Sequence, residues 1–177
     1  MRNGSVRRLA IEINEEQLQP DRVGAGMERW QQQFPDIDCS GKAIVGRLLH
    51  LNEVFLAAID RKLARHGFKY PAFAVLATLR VQGEPYRMSP KSLLETLILT
   101  SGGLSNLLRR LEAEGLISRR ADEMDGRGVI VELTEEGRRR VEPAMRDHAD
   151  TERKIVSRLT SRDQSRLAIV LSTLMPS

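Results

Sequence analysis

Four leucines with helical spacing, followed at once by two segments of strand composition, limit the folds open to this chain. The leucines recur at i, i+3, i+4 and i+7, which places them on one face of a single helix: Leu104, Leu107, Leu108 and Leu111. Gly115 ends this helical pattern. Residues 116–119 and 129–133 then have strand composition, and the loop between them is charged and contains two glycines. We therefore predict an amphipathic helix followed by a β-hairpin.

A shorter helix is predicted just before the leucine helix. Ser89 has the character of an N-cap and Pro90 suits the first helical position, so this helix should run from Pro90 to about Leu97. After a turn, Ser101 is the expected N-cap of the leucine helix. Two short helices joined by a turn form a helix-turn-helix, and a hairpin that directly follows one is a wing.

The helix upstream of this unit has a broader apolar face than one neighbour requires. Apolar residues recur at three- and four-residue steps from about Ser40 to His66, and Gly67 is the expected C-cap. An apolar stripe of this width exceeds what packing against a single helix would bury. The excess favours contact with a partner subunit.

Three further helices complete the expected architecture. Pro71 suits the first turn of a helix that runs to about Val81. Thr134 is the expected N-cap of a long helix that Pro143 should kink or effectively start, and Ser161 begins a capping box before the last helix. The predicted fold class is mainly α with a small β-hairpin wing, namely a winged helix-turn-helix with N- and C-terminal dimerisation helices.

The first 39 residues are expected to form an N-terminal extension that is only partly ordered. Gly24 and Gly26 should break it, whereas Trp30 and Phe34 share one helix face at i and i+4 and should pin it to the body. The rest of the chain divides into a helical dimerisation region, residues 40–68 and 138–177, and a winged helix-turn-helix domain, residues 69–137.

The excess positive charge lies in the middle third of the chain. Lys and Arg number 28 against 24 Asp and Glu, and 23 of these bases are arginine. Residues 61–120 hold eleven bases and four acids, whereas the segments before and after are slightly acidic. Arginine forms bidentate hydrogen bonds with phosphates and guanine edges. The distribution permits nucleic-acid binding by the helix-turn-helix without proving it.

Composition also excludes several classes of protein. Cys39 is the only cysteine, so an internal disulfide and a cysteine-based zinc site are excluded and a cytoplasmic location is expected. Aromatic residues are 4% of the chain, too few for a platform that stacks single-stranded nucleic acid. Apolar stretches are too short to span a membrane. Catalytic, metal-binding and phosphate-cradling motifs are missing, so we expect neither an enzyme nor a cofactor.

The winged segment resembles a known family. The run Leu104–Arg119 resembles the recognition helix and first wing strand of the MarR (multiple antibiotic resistance regulator) family. Asp125-Gly126-Arg127 resembles the Asp-x-Arg wing of that family, and Leu133-Thr134 with Gly137 resembles its junction between strand and helix. The resemblance covers about residues 41–175 and is specific over 88–137. It implies a homodimeric transcriptional repressor that binds a pseudo-palindromic operator in double-stranded DNA and responds to a small-molecule effector.

The resemblance implies that the leucine helix enters the major groove. Ser105, Asn106 and Arg109 lie on the face opposite the leucines, so they are the expected contacts to base edges. Ser101 and the exposed N–H groups of the first turn are expected to hold a phosphate, and Gly102 permits close approach of the backbone.

The wing is expected to reach the adjacent minor groove. Arg127 would enter that groove, and Asp125 would orient its guanidinium by a charge-assisted hydrogen bond. Arg119 and Arg120 flank the base of the wing and are expected to contact phosphates. Arg110 is assigned either a phosphate or an internal ion pair.

An effector pocket is expected between the dimerisation helices and the winged helix-turn-helix. Its candidate residues are aromatic or polar, with the arginine as partner for an anion: Trp30, His50, Asn52, Phe55, Phe73 and Arg80. A small aromatic or anionic effector would suit this set. Two alternatives stay open, a winged-helix module that binds protein and a regulator that senses oxidants through Cys39.

Overall fold

The computed structural model describes residues 21–97, 99–121 and 128–176. Over these residues the chain forms seven α-helices and one three-stranded antiparallel sheet, which confirms the predicted fold class. Within the same ranges, no helix combines the length and apolarity needed to cross a membrane. The chain divides into two compact units, and the boundary between Asn52 and Glu53 falls inside a helix.

The N-terminal unit contains helix α1, Arg22–Gln33, and the first part of helix α2, Lys42–Leu63. The Asp21 carboxylate caps α1 by accepting the N–H groups of Val23 and Gly24, each at 2.8 Å. The prediction that Gly24 and Gly26 break this segment is therefore wrong, since both lie inside α1. A Cβ at Gly46 would lie 2.9 Å from Val23 Cγ1, so the small residue allows close packing of the two helices.

The second unit contains the end of α2, a 3-10 turn and the remaining elements. Its helices are α3 (Tyr70–Val81), α4 (Pro90–Thr96), α5 (Ser101–Ala113), α6 (Glu135–Ile155) and α7 (Ser161–Ser172). Its strands are β1 (Arg87–Met88), β2 (Ile117–Ala121) and β3 (Val129–Leu133). The 3-10 turn, Ala64–His66, follows α2 and ends at Gly67, whose φ of 75° confirms it as the C-cap.

The sheet has the order β1-β3-β2, with both pairs antiparallel. The β2–β3 pair is the predicted hairpin, in which Ile117 lies opposite Leu133 and Ala121 opposite Val129. Strand β1 was not predicted because only Arg87 and Met88 belong to it, and two residues carry no readable alternation. By pairing with β3, strand β1 connects the segment before α4 to the wing.

Two helix starts differ by one residue from the prediction. Thr100, not Ser101, caps α5 by accepting the Gly103 N–H at 3.1 Å. Thr160, not Ser161, caps α7, accepting the Asp163 N–H at 3.2 Å and donating its hydroxyl to the Asp163 carboxylate at 2.6 Å. In both cases the threonine has the extended backbone that an N-cap requires, whereas the serine after it is already helical.

The remaining caps agree with the sequence. Ser89 caps α4 and Thr134 caps α6, each through its side-chain oxygen. Pro143 lies inside α6, which begins eight residues earlier, so it does not mark the start of this helix.

The core of the second unit is built around α3 and the leucine face of α5. All four predicted leucines are buried, with exposures of 0–9%. They pack with apolar side chains from α3, from the start of β2 and from β3, including Val75, Leu76, Leu79, Ile117 and Val131. Burial of such side chains stabilises by about 25 cal/mol per Å² of apolar surface removed from water, so this face holds α5 in place.

Thr134 joins the ends of three elements. Its hydroxyl donates to the Gly115 carbonyl at 2.7 Å and accepts the Gly137 N–H at 3.0 Å. Its own N–H donates to the Leu116 carbonyl at 3.1 Å. This residue thus connects the end of α5, the end of β3 and the first turn of α6, and we call it the Thr134 junction.

Replacing Gly137 with Ala should disrupt this junction. The added Cβ would lie 2.1 Å from the Leu116 carbonyl oxygen and 2.8 Å from Leu133 Cδ1, and one of these contacts is to backbone. We expect Gly137→Ala to lower the free energy of unfolding by about 1–3 kcal/mol or more. Gly102→Ala is the matched control, because its Cβ meets nothing within 4 Å. Equal urea midpoints for the two variants would contradict this account.

Candidate nucleic-acid interface

The outer face of α5 carries the side chains predicted to contact bases. Ser105, Asn106 and Arg109 are exposed, while the leucines of the same helix are buried. The Arg109 guanidinium donates a hydrogen bond to the Asn106 side-chain oxygen. Among the described residues, Arg109 has no carboxylate within ion-pair distance. We call these three side chains the reading face.

The N-terminal end of α5 is open to an incoming group. Ser101 and Gly102 are exposed, and the space beside Gly102 is empty to 4 Å. A Cβ at Gly103 would lie 2.9 Å from Thr100 Oγ1, so glycine there leaves room for the cap. The N–H groups at the start of a helix lack intrahelical partners and attract anions.

Arg110 borders a cleft beside the reading face. Its guanidinium lies 3.7 Å from the Glu114 carboxylate, and its side chain is more than half exposed. The cleft has a volume of about 370 Å³ and is lined by residues of α5 and by the segment that leads into α3, among them Asn106, Arg110 and Lys69. Lys69 was not predicted as a site residue because a lone lysine carries no motif.

Arg119 connects the wing to α5 through an ion pair. Its Nε donates to the Glu112 carboxylate at 2.8 Å, and a second nitrogen of the guanidinium contacts the same oxygen. The hydrogen bond from Arg119 lowers the pKa of Glu112 and, reciprocally, raises the pKa of Arg119. The pair joins the last turn of α5 to β2, so Arg119 has an internal partner in addition to its predicted role at a phosphate.

Arg120 also has a partner within the wing. Its guanidinium lies 2.6 Å from the carboxylate of Glu132 on β3, and about half of its side chain is exposed. Asp125 and Arg127, the expected minor-groove contacts, lie outside the described residues. The structure therefore places β2 and β3 but leaves those two assignments as predictions.

The candidate effector residues are distributed over both units. In the N-terminal unit, Trp30 is 41% exposed and stacks on Phe34 with ring centroids 5.7 Å apart. His50 and Asn52 are exposed in the same unit. The Lys42 ammonium lies 4.3 Å from the centre of the Trp30 ring, a cation–π contact.

The other three candidates belong to the second unit. Phe55 is half-buried, whereas Phe73 is buried, with only 4% of its surface exposed. Arg80, the proposed anion partner, donates from Nε to Glu142 at 2.7 Å and stacks over the ring of Tyr86. Its charge is thus already compensated by a carboxylate of the protein.

Phe73 lines an aromatic cavity of about 270 Å³ between α3, the end of α4 and α6. Its ring lies 4.7 Å from that of His148, and Tyr70 completes the cluster at 6.0 Å from His148. His148 Nε2 lies 3.2 Å from Glu152, whereas its Nδ1 is buried and has no hydrogen-bond partner in the described part of the chain. No local pattern predicts this cluster, because His148 is distant along the chain from Tyr70 and Phe73.

The His, Cys, Asp and Glu side chains bear on metal binding and on redox sensing. Over residues 21–97, 99–121 and 128–176, the side chains of His, Cys, Asp and Glu form no group of three that would hold a metal ion. Cys39 is a free, half-buried thiol whose backbone carbonyl accepts the Lys42 N–H at 2.9 Å. The oxidant-sensing role stays a prediction.

The chain is similar to known transcriptional regulators in both sequence and fold. The family model for the transcriptional regulator SarA/Rot matches residues 58–143. The HTH-type transcriptional regulator PecS of Dickeya dadantii (strain 3937) is 29% identical over 145 residues, which cover 82% of this chain and 87% of PecS.

Two solved structures have the same fold. A mutant MarR from E. coli complexed with operator DNA is 26% identical to this chain, with a TM-score of 0.69. The match covers 79% of this chain and 100% of the MarR chain. AbsC, a MarR family transcriptional regulator from Streptomyces coelicolor, is 22% identical with a TM-score of 0.71. The match covers 78% of this chain and 93% of the AbsC chain. At that identity, the second match supports the fold alone.

The Glu112–Arg119 pair predicts a pH-dependent contribution to stability. Because the pKa of Glu112 is lower in the folded chain than in the unfolded chain, this contribution is present above the unfolded value and is lost as the pH falls through the folded value. Glu112→Gln should therefore be less stable than the wild type at about pH 7, and the difference should shrink as the pH falls through the lowered pKa that Glu112 has in the folded chain. Urea unfolding at each pH measures it.

Glu114→Gln is the matched control, because Glu114 meets Arg110 only at 3.7 Å on an exposed surface. Its stability relative to the wild type should change less with pH. A Glu112→Gln chain as stable as the wild type at about pH 7 would show that the pair contributes nothing.

Proposed function

We propose that the chain is a member of the MarR family of winged helix-turn-helix transcriptional regulators, and that it is a homodimeric repressor that binds an operator in double-stranded DNA and is released by a small effector. The family consists of regulators and not enzymes, in agreement with the sequence-based prediction. A regulator that acts on DNA is expected to work in the cytoplasm.

The exposed reading face of α5 is the observation that carries this proposal. Its leucines fix the helix in the core, so Asn106 and Arg109 project from a rigid support. Arginine pairs with guanine and asparagine with adenine through two hydrogen bonds each in the major groove. The relative from E. coli was solved with operator DNA, which supports the same role here.

Phosphate contacts are proposed around this face. The open N-terminal end of α5, with Ser101 and Gly102, suits a phosphate through backbone N–H groups. Arg110 is exposed beside it, and Arg119 and Arg120 lie on β2. Such contacts set the register of a protein on the duplex but do not read its sequence.

The wing contacts rest on the family resemblance. We assign Arg127 to the minor groove and Asp125 to its orientation, as in the Asp-x-Arg motif. Strands β2 and β3 pair in register up to Ala121 and Val129, and Asp125 and Arg127 lie between these two positions in the sequence.

The homodimer is proposed from exposed apolar side chains in both units. On α7, Leu167, Ile169 and Val170 are 44–66% exposed. On the first part of α2, Val45 and Leu49 are 56% and 65% exposed. Exposed apolar side chains in such number on a helix favour a protein interface, and readers of this class bind two half-sites as dimers.

The effector is proposed to bind in the aromatic cavity. Phe73 and Tyr70 provide flat apolar walls, and the buried Nδ1 of His148 provides one unsatisfied polar atom. A cavity of about 270 Å³ suits a small aromatic molecule with one hydrogen-bonding group. Arg80 is paired with Glu142, so an aromatic effector is favoured over a purely anionic one.

Replacement of Arg109 tests the reading role. In a gel shift with DNA that flanks the coding region of the protein, Arg109→Ala should bind about tenfold to hundredfold more weakly than the wild type. Arg109→Lys keeps the charge but loses the bidentate geometry, so it should remain weak if Arg109 reads a base. Arg139→Ala is the matched control, because Arg139 is an exposed arginine of α6 paired with Glu136.

Other outcomes separate the alternatives. Unchanged affinity in Arg109→Ala would remove Arg109 from the reading face, and full recovery in Arg109→Lys would reassign it to a phosphate. A wild-type chain without affinity for any duplex would favour the protein-binding module instead.

A further inference from the structure

A second cationic surface lies away from the reading face. Three of the eleven bases in residues 61–120 belong to the end of α2 and its 3-10 turn: Arg61, Lys62 and Arg65. Together with Lys154 of α6 they line a cavity of about 470 Å³, which we call the basic cavity. None of these four residues takes part in the reading face or the aromatic cavity.

The spacing on both helices directs these cations to one place. Arg61 and Lys62 lie three and four residues after Ala58, and Arg65 lies four residues after Arg61. On the other helix, Lys154 and Ile155 lie three and four residues after Thr151. Two helix faces therefore line the cavity, with Ala58 and Ile155 as its apolar residues and the Thr151 hydroxyl as its neutral polar group. The Thr151 hydroxyl donates to the Asp147 carbonyl at 2.7 Å.

The charge of the basic cavity is poorly compensated. Its lining contains four cations and no carboxylate. Within the described residues, only Lys62 has an acidic partner, Asp147 at 3.3 Å, and Asp147 is shared with His66. Arg61 donates to the Ala57 carbonyl, and Arg65 and Lys154 are exposed. Like charges that converge on one cavity repel one another unless an anion binds between them.

Cations near the end of a helix also offset its dipole. That effect accounts for basic residues in the last turns of α2 and α6, but it does not require them to face the same cavity. Nearby surface arginines such as Arg153 and Arg139 are each paired with a carboxylate of their own helix.

We propose that the basic cavity binds a small polyvalent anion, either a phosphorylated compound or a polycarboxylate. Arg61 and Arg65 present planar guanidinium groups that suit bidentate contact with phosphate or carboxylate oxygens, and Lys154 adds a point charge from the opposite helix. The site is separate from the aromatic cavity, so it goes beyond the proposed effector response.

Thermal unfolding of the full chain tests this site. At constant ionic strength set with sodium chloride, pyrophosphate or citrate at about ten times its dissociation constant should raise Tm by about 3–6 °C. A shift with pyrophosphate alone identifies phosphorylated ligands, and a shift with citrate alone identifies polycarboxylates. No shift with either anion beyond that with chloride overturns the proposal.

Variants locate the binding. The double variant Arg65→Gln/Lys154→Gln should lose most of the shift, and Arg61→Gln should lose part of it. Arg162→Gln, an exposed arginine of α7 outside the cavity, should keep the full shift. Circular dichroism establishes that each variant is folded before its shift is compared.

Arg109→Ala separates this site from the DNA-binding surface, because polyvalent anions also bind to cations that contact phosphates. This variant should keep the full shift. If the shift is instead lost in Arg109→Ala and kept in Arg65→Gln/Lys154→Gln, the anion binds at the reading face and the basic cavity is not its site.

Discussion

The Thr134 junction is the contact on which the arrangement of the winged helix-turn-helix depends. One threonine bonds to the carbonyl of Gly115 at the end of α5, to the carbonyl of Leu116 at the start of the wing, and to the N–H of Gly137 in α6. A side chain at position 137 would collide with the Leu116 backbone. The junction fixes where α5 ends and where α6 begins, so the orientation of the reading face depends on it.

Two further interactions hold α5 in that orientation. Its leucine face is buried in the core, which sets the rotation of the helix about its own axis. The Glu112–Arg119 pair then ties its last turn to β2, at a surface where an isolated ion pair contributes little by itself. Burial therefore provides most of the stability, and the ion pair adds a smaller contribution while it joins helix and wing.

Much of this arrangement follows from local sequence signals. Ser89, Thr134 and the leucine periodicity predict helix starts and a buried face correctly, because capping and periodicity are properties of adjacent residues. These local signals fail where contacts with other residues determine the structure. Thr100, not Ser101, is the N-cap of α5. Gly24 is helical in α1, which Asp21 caps. Strand β1 exists only through its pairing with β3, so no local pattern reveals it.

The candidate sites likewise differ in whether local sequence patterns predict them. The reading face could be predicted, since Ser105, Asn106 and Arg109 only need to lie opposite the leucines of one helix. The aromatic cavity could not, because Phe73 and His148 meet across helices that are far apart in sequence. The pairing of Arg80 with Glu142 and of Arg119 with Glu112 likewise depends on tertiary contacts that spacing does not reveal.

In the proposed function, two copies of the reading face act together on one duplex. Selection of bound fragments from a random double-stranded library by the full chain tests it directly. The account predicts enrichment of an inverted repeat whose half-sites are centred about one helical turn, roughly 34 Å, apart. Recovery of a single unrepeated half-site, or of fragments no different from the starting library, would contradict it.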